Sequence, residues 1–168
     1  AVSKGLYIAD NQLINNLTAD HQPLIDLEEI KIKGPHNLEN VLGAVAIALL
    51  QGVEVGTITE VLHKFSGVEH RIEEVAMIDE TIYINDSKAT NPAAAIKALE
   101  TFKQPITLIA GGMDKDGDLT EFAAQIKDNV KQLILLGETA DTIEQQVVQA
   151  GFAQERINHV TSIKEAVD

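Results

Sequence analysis

Asn85-Asp86-Ser87-Lys88-Ala89-Thr90-Asn91 places a carboxylate, an ammonium, two hydroxyls and two amides within seven residues. The stretch follows Thr81-Ile82-Tyr83-Ile84, which reads as a short strand, and precedes an apolar pattern that resumes at Pro92. An ammonium among hydroxyls and amides can hold an anion, because it offsets charge while its neighbours donate hydrogen bonds. A second loop, Gly111 to Asp118, also carries a lysine, Lys115, in acidic surroundings. The plainer account of either loop is turn-making, for which Asp, Ser and Asn are common choices. Two lysine-bearing loops, each after a strand, shift the balance toward a ligand, since parallel sheets gather ligands where strands end and helices begin. Gly111-Gly112 adds little, because the full GxGxxG spacing is missing.

Two further stretches carry candidate groups. In "GPHNLEN", Asn37 and Asn40 stand three apart on one side of a first helical turn. One of them is expected to cap the helix, and side-chain amides, which both donate and accept, suit a purine edge or a ribose. His36 beside them is either a ligand or a turn residue. In "VEHR", His70 and Arg71 sit at an expected domain boundary. Arg71 could clamp a nucleotide there, or simply pair with Glu73 or Glu74 on the surface. If these stretches face the two lysine loops, the groups converge on one cleft for a nucleotide and an anion.

The elements that must position them follow from apolar periodicity and punctuation. Residues 6–16 and 23–32 alternate loosely and read as strands or hairpin arms. "KGPHNLEN" opens a helix that is apolar nearly all round, is expected to be buried, and stops near Gly52. A second helix is expected from Thr57 to Lys64, with Thr57 and Glu60 as a capping box. Strands are then expected at 72–78, 81–85, 106–110, 132–136 and 157–160, with helices at 92–102, 119–129, 139–150 and from 162 onward. The first two strands form a hairpin through "DET". The rest alternate strand and helix, as a parallel sheet with helices packed on it does. Asn91-Pro92, Asp118 with Glu121, and Gly151 supply helix boundaries.

Bulk properties narrow the function. The formal net charge is −13, from 26 acids against 13 bases, so the surface repels nucleic acid and anionic membranes. Zero cysteines exclude disulfides, thiolate metal sites and cysteine nucleophiles, and fit a cytoplasmic protein. The longest uncharged apolar run, Val41 to Leu50, is far short of the roughly 20 residues a membrane span needs. The sequence begins in mid-pattern without an initiator methionine and stops inside a helical pattern, so a fragment of a longer enzyme is expected.

"GPHNLENVLGAVAIA", "FSGVEHRIE", "NDSKATNPAA" and "LIAGGMDK" follow one another in the order and spacing of the Mur ligase family, which the chain resembles over essentially its whole length. "NDSKATN" is the most specific piece and looks like the loop of the members that add D-glutamate. The resemblance implies an ATP-dependent amide ligase of cell-wall precursor synthesis, working on UDP-N-acetylmuramoyl-L-alanine and D-glutamate through an acyl phosphate, with ATP and Mg2+. It implies that residues 1–66 are the C-terminal part of a central ATP-binding α/β domain. Residues 67–168 are then most of a Rossmann-like ligase domain, a mostly parallel sheet with helices on both faces. Carried over by position, Asn37, Asn40, Arg71 and Asp86 hold the nucleotide, Lys88 serves the reacting carboxyl and phosphate groups, and Thr90 and Lys115 receive D-glutamate.

The departures bear on activity. No GxxxxGK[ST] phosphate loop occurs in these residues, nor do the family's magnesium ligands, its carbamylated lysine or the serine segment that completes the glutamate pocket. No metal ligand is assigned here, and the fragment alone is expected to be inactive. The alternatives are another Mur-type or folylpolyglutamate synthase-like enzyme, or a non-catalytic nucleotide-binding regulatory domain.

Overall fold

Apolar stripes and turn residues sort the chain into two compact units, Ala1–Asn85 and Asp86–Asp168. The computed structural model describes residues 4–113 and 117–167.

In the first unit, β1 (Gly5–Ala9), β2 (Gln12–Asn16) and β3 (Gln22–Asp26) form an antiparallel sheet in that order. Residues 6–16, read as strands or hairpin arms, fold back as a hairpin at Asp10-Asn11, whose φ values are 49° and 62°. Two consecutive left-handed residues make a type I′ turn, which Asp and Asn tolerate best after glycine. α1 spans Pro35–Leu50 and buries Asn37, Val41, Val45 and Leu49, one residue per turn along a single stripe. That stripe packs with Leu13, Ile25, Ile30 and Ile58. The all-round burial expected for α1 is not found, since Ile47 and Leu50 are each 65% exposed.

α1 ends as its glycine dictates. Gly52 takes φ 80°, its N–H reaches Leu49 O at 3.0 Å, and Val53 N–H reaches Ala48 O at 3.0 Å. Those two bonds are the Schellman pattern. α2 covers Val55–Lys64 with its N-cap at Glu54, so the helix begins at Val55, two residues before the expected Thr57. Thr57 is therefore inside the helix. Its N–H bonds Glu54 O, while Glu60 pairs with Lys64 at 2.5 Å instead of closing a capping box. β4 (Glu73–Ile78) and β5 (Thr81–Asn85) form the expected antiparallel hairpin, turning at Asp79-Glu80 with φ 46° and 63°.

Asn15 gives this unit a polar anchor that the pattern of β2 conceals. It is fully buried. Its Oδ1 accepts from Leu17 N (3.0 Å) and Thr18 N (3.1 Å), and its Nδ2 donates to Thr18 Oγ1 (3.0 Å) and Gln22 Oε1 (3.3 Å). A buried amide engaged at both ends fixes the bend after β2, and truncation strands its partners. Asn15→Ala is expected to lower the unfolding free energy by about 2–4 kcal/mol, measured by urea denaturation. A change below about 0.5 kcal/mol, the range of ordinary surface substitutions, would show that the amide does not anchor this turn.

The second unit runs α3 (Pro92–Thr101), β6 (Ile106–Gly111), α4 (Thr120–Asn129), β7 (Val130–Leu136), α5 (Ala140–Gln149), β8 (Ile157–His159) and α6 (Ile163–Val167). β6, β7 and β8 form a parallel sheet in that order, as the strand–helix alternation requires. Val130, Leu133 and Leu135 of β7 join Ile96 and Leu99 of α3, Phe122 and Ile126 of α4, and Ile143 and Val147 of α5 in one core. α3 starts as read, on Asn91, whose Oδ1 accepts Ala94 N at 2.9 Å with Pro92 at the first helical position. α4 departs from expectation, because its N-cap is Leu119 and no capping box forms. Asp118 instead accepts Thr120 N at 2.9 Å. Thr120, by its side chain first and its backbone N–H second, holds the exposed Asp118 carboxyl below the usual carboxylate range. That contribution is present above the ordinary range and is lost as pH falls through the lowered value.

Candidate functional site

Asp86 through Asn91 forms a compact pair of turns. Ala89 N–H bonds Asp86 O at 2.8 Å, closing a four-residue turn, and Thr90 N–H bonds Lys88 O at 2.8 Å, closing a tighter one. Backbone bonds therefore fix the loop's shape, and Asn91 spends its side chain on the α3 cap. Asp86 is half-buried, while Lys88 and Thr90 are exposed. The structure thus brings three of the candidates, Asp86, Lys88 and Thr90, onto one short loop at the start of α3. The Lys88 ammonium makes no hydrogen bond or ion pair among the described residues, so its charge is available to an incoming anion.

Gly117, just before α4, lies beside the first residue of α3. A Cβ added to Gly117 would lie 3.7 Å from Cγ of Pro92, so the approach to α4 borders the start of α3. Lys115, the second lysine of the sequence reading, lies outside the described residues. At the end of β6 and β7 the two backbones come very close. Gly112 N–H bonds Leu136 O at 3.2 Å, and Gly112 O accepts from Thr139 N at 3.2 Å and Thr139 Oγ1 at 3.3 Å. A Cβ on Gly137 would meet Gly112 N at 3.0 Å. Gly111 and Gly137, where a Cβ would meet the neighbouring backbone, are what lets this edge of the sheet close, and Gly111-Gly112 remains weak as a nucleotide fingerprint.

The first unit holds the other three candidates. Asn37 and Asn40 do not share an environment, because Asn37 is buried and Asn40, one turn on, is exposed. Asn37 Nδ2 donates to Lys33 O at 2.7 Å. Neither amide caps α1, where Gly34 with φ 100° takes the cap position. His36 Nδ1 is buried with no partner among the described residues. Arg71 is exposed, and the surface ion pair with Glu73 or Glu74 that served as its plainer account is not formed among the described residues.

Two groupings escaped the sequence reading. His70, Glu73 and Asn85 form a cluster in which Glu73 Oε2 accepts His70 N at 2.8 Å and Asn85 Nδ2 lies 2.9 Å from His70 Nδ1. Glu73 and Asn85 are partners across the β4–β5 ladder, a relation only the register reveals. Elsewhere, Asp141, Glu144 and His159 bring one donor atom each within 4.8 Å. Glu144 Oε2 lies 2.7 Å from His159 Nε2, and Asp141 Oδ1 lies 4.0 Å from Nδ1. Only the Glu144 contact is within hydrogen-bond distance, and Asp141 is exposed to solvent.

Comparisons with known proteins point to one family. Residues 70–168 match the family described as Mur ligase, glutamate ligase domain. A UDP-N-acetylmuramoylalanine–D-glutamate ligase of Pelotomaculum thermopropionicum is 41% identical over 99% of this chain and 36% of its own length. One of the same name from Clostridioides difficile is 42% identical over 99% of this chain and 36% of its own. The chain thus spans about a third of the length of the curated relatives it matches. The fold is shared with a UDP-N-acetylmuramate–alanine ligase of Thermotoga maritima, at TM-score 0.69 and 19% identity over 92% of this chain and 35% of the other. It is shared too with a folylpolyglutamate synthase of Mycobacterium tuberculosis, at TM-score 0.66 and 17% identity over 97% and 38%.

Proposed function

The chain belongs to the Mur ligase family, and from that premise we propose that it is part of an ATP-dependent ligase that joins D-glutamate to UDP-N-acetylmuramoyl-L-alanine. Residues 1–66 then close a central ATP-binding domain and residues 67–168 make most of the ligase domain. Such an enzyme works in the cytoplasm on a precursor of peptidoglycan, and so serves cell shape and division. The observation that carries this reading is the 86–91 loop, which fixes its own backbone and leaves Lys88 and Thr90 exposed.

In the reaction, the substrate carboxylate takes the γ-phosphoryl group of ATP. The amine of D-glutamate attacks the acyl phosphate carbon, the C–N bond forms, the C–O bond breaks, and phosphate leaves as the amine sheds its proton. The Lys88 ammonium faces the charge on the carboxyl and phosphoryl oxygens. Thr90 and Lys115 receive D-glutamate, Lys115 by charge and Thr90 by its hydroxyl. Arg71 and Asp86 hold adenine and ribose, the carboxylate accepting from ribose hydroxyls. The exposed Asn40 and the buried Asn37 border the adenosine, Asn37 by shaping the helix start. The 86–91 loop offers one carboxylate beside a lysine, which does not fit a magnesium site. No step is therefore assigned to Mg2+ on these residues, and its ligands and the phosphate loop belong to the rest of the protein in this scheme.

Phosphate release by the intact protein decides the matter. With ATP and UDP-N-acetylmuramoyl-L-alanine present, D-glutamate is expected to stimulate release, and L-alanine or diaminopimelate is not. Stimulation by either of the latter would assign the chain to another ligase of the family, and no release with any amino acid would favour a nucleotide-binding regulatory domain. The 168-residue chain alone is expected to be inactive in the same assay.

A further inference from the structure

Arg71 sits between two residues in the left-handed region, His70 at φ 66° and Ile72 at φ 46°. A β-branched residue there is a true outlier, and such backbone persists only where its surroundings over-determine it. The first unit supplies that constraint. Glu73 Oε2 accepts the His70 N–H at 2.8 Å and lies 3.5 Å from His70 Nδ1. Asn85 Nδ2 donates toward the same Glu73 oxygen at 3.4 Å and toward His70 Nδ1 at 2.9 Å. Glu73 and Asn85 face each other across β4 and β5, so the cluster is mounted on a hydrogen-bonded hairpin.

The same bonds leave the guanidinium available. Arg71 has Glu69, Glu73 and Glu74 as near neighbours in sequence, and an exposed arginine among acids ordinarily pairs with one of them. Here Glu73 turns its oxygen to His70 and Asn85, and the Arg71 guanidinium makes no ion pair among the described residues. We propose that Glu73 and Asn85 are positioning residues for Arg71, holding the turn that presents its guanidinium to the nucleotide and occupying the carboxylate that would otherwise quench it. This rests on the assignment of Arg71 to the nucleotide made above.

The test is a mutant cycle in the intact ligase with ATP as the varied substrate. Glu73→Ala is expected to raise the KM for ATP about tenfold, with a much smaller change in kcat and none in the KM for D-glutamate. Asn85→Ala moves the same constant in the same direction. Glu73→Gln, which keeps an acceptor for the His70 N–H, restores most of the affinity. Arg71→Ala alone raises the KM for ATP, and adding Glu73→Ala to it produces no further rise. Equal effects of Glu73→Ala with and without Arg71 would overturn the positioning role. So would a KM for ATP unmoved by both Glu73→Ala and Asn85→Ala while Arg71→Ala raises it. A KM for ATP unchanged by Arg71→Ala would instead remove the nucleotide assignment beneath the proposal. If Glu73→Ala fails to fold, Asn85→Ala with and without Arg71 completes the cycle.

Discussion

Replacing Lys88 by alanine in the intact ligase is expected to lower kcat by about 10²–10³-fold, the usual consequence of removing one preorganised charge from a site of developing negative charge. The folded state should hardly notice. Lys88 is exposed, and its ammonium makes no hydrogen bond or ion pair among the described residues. The turn that carries it is closed by backbone bonds, from Ala89 N to Asp86 O and from Thr90 N to Lys88 O, which survive the substitution. Thermal melting of the variant should therefore coincide with that of the parent while turnover collapses. Lys88→Arg keeps the charge but replaces a compact ammonium by a broad planar fork, so only partial activity should return. A kcat for Lys88→Ala within about threefold of the parent would remove this lysine from the reaction and the 86–91 loop from the site.

Gly111→Ala is expected to have the largest effect on stability, a loss of about 4 kcal/mol or more, through a clash and a forbidden backbone together. Gly111 ends β6 opposite Leu136 of β7 with φ 144°, a conformation L side chains rarely adopt. A Cβ there would lie 1.7 Å from Leu136 O and 2.8 Å from Leu136 C, both backbone atoms that no rotamer change can move aside. The strands would have to separate where Leu133 and Leu135 build the core. Denaturant melts of this chain or of the intact protein read the loss directly. Gly112→Ala is the informative partner, because a Cβ there meets nothing within 4 Å and only the φ of 131° is strained, so it should cost less. Equal losses at the two positions would show that backbone conformation alone, rather than the approach of β7, governs this edge.

What could be seen in the residues themselves was whatever depends on a few neighbours along the chain. Gly52 and Gly151 end their helices because the left-handed position after a helix favours glycine over other residues, and both bond as expected. Asn91-Pro92 opens α3 because a short amide side chain reaches the third helical N–H and proline needs no donor at the first position. Parallel order in β6, β7 and β8 follows from strand–helix alternation. The loop between β5 and α3 stood out by composition, because Asp86, Ser87, Lys88 and Thr90 interrupt two apolar patterns. Local rules failed where two readings competed within one turn. Asp10-Asn11 was hidden in a loose alternation, and Thr57 with Glu60 looked like a cap although the helix had already begun at Val55.

The tertiary structure decided everything that needs a partner distant in the chain. That Asn15 is an anchor depends on Gln22 folding back onto it. That Asn37 is buried while Asn40 is exposed depends on which stripe of α1 meets the sheet. That Glu73 meets Asn85 and leaves Arg71 available depends on the β4–β5 register, which shifts between Glu74 and Ala76 and cannot be counted off the sequence. That Gly111 must be glycine depends on how closely β7 approaches, a distance set by the core between sheet and helices. Side-chain preference is a property of a few adjacent residues. Burial, register and close approach are properties of the packed whole, and these determine which of the chain's polar groups are engaged and which are left to meet a ligand.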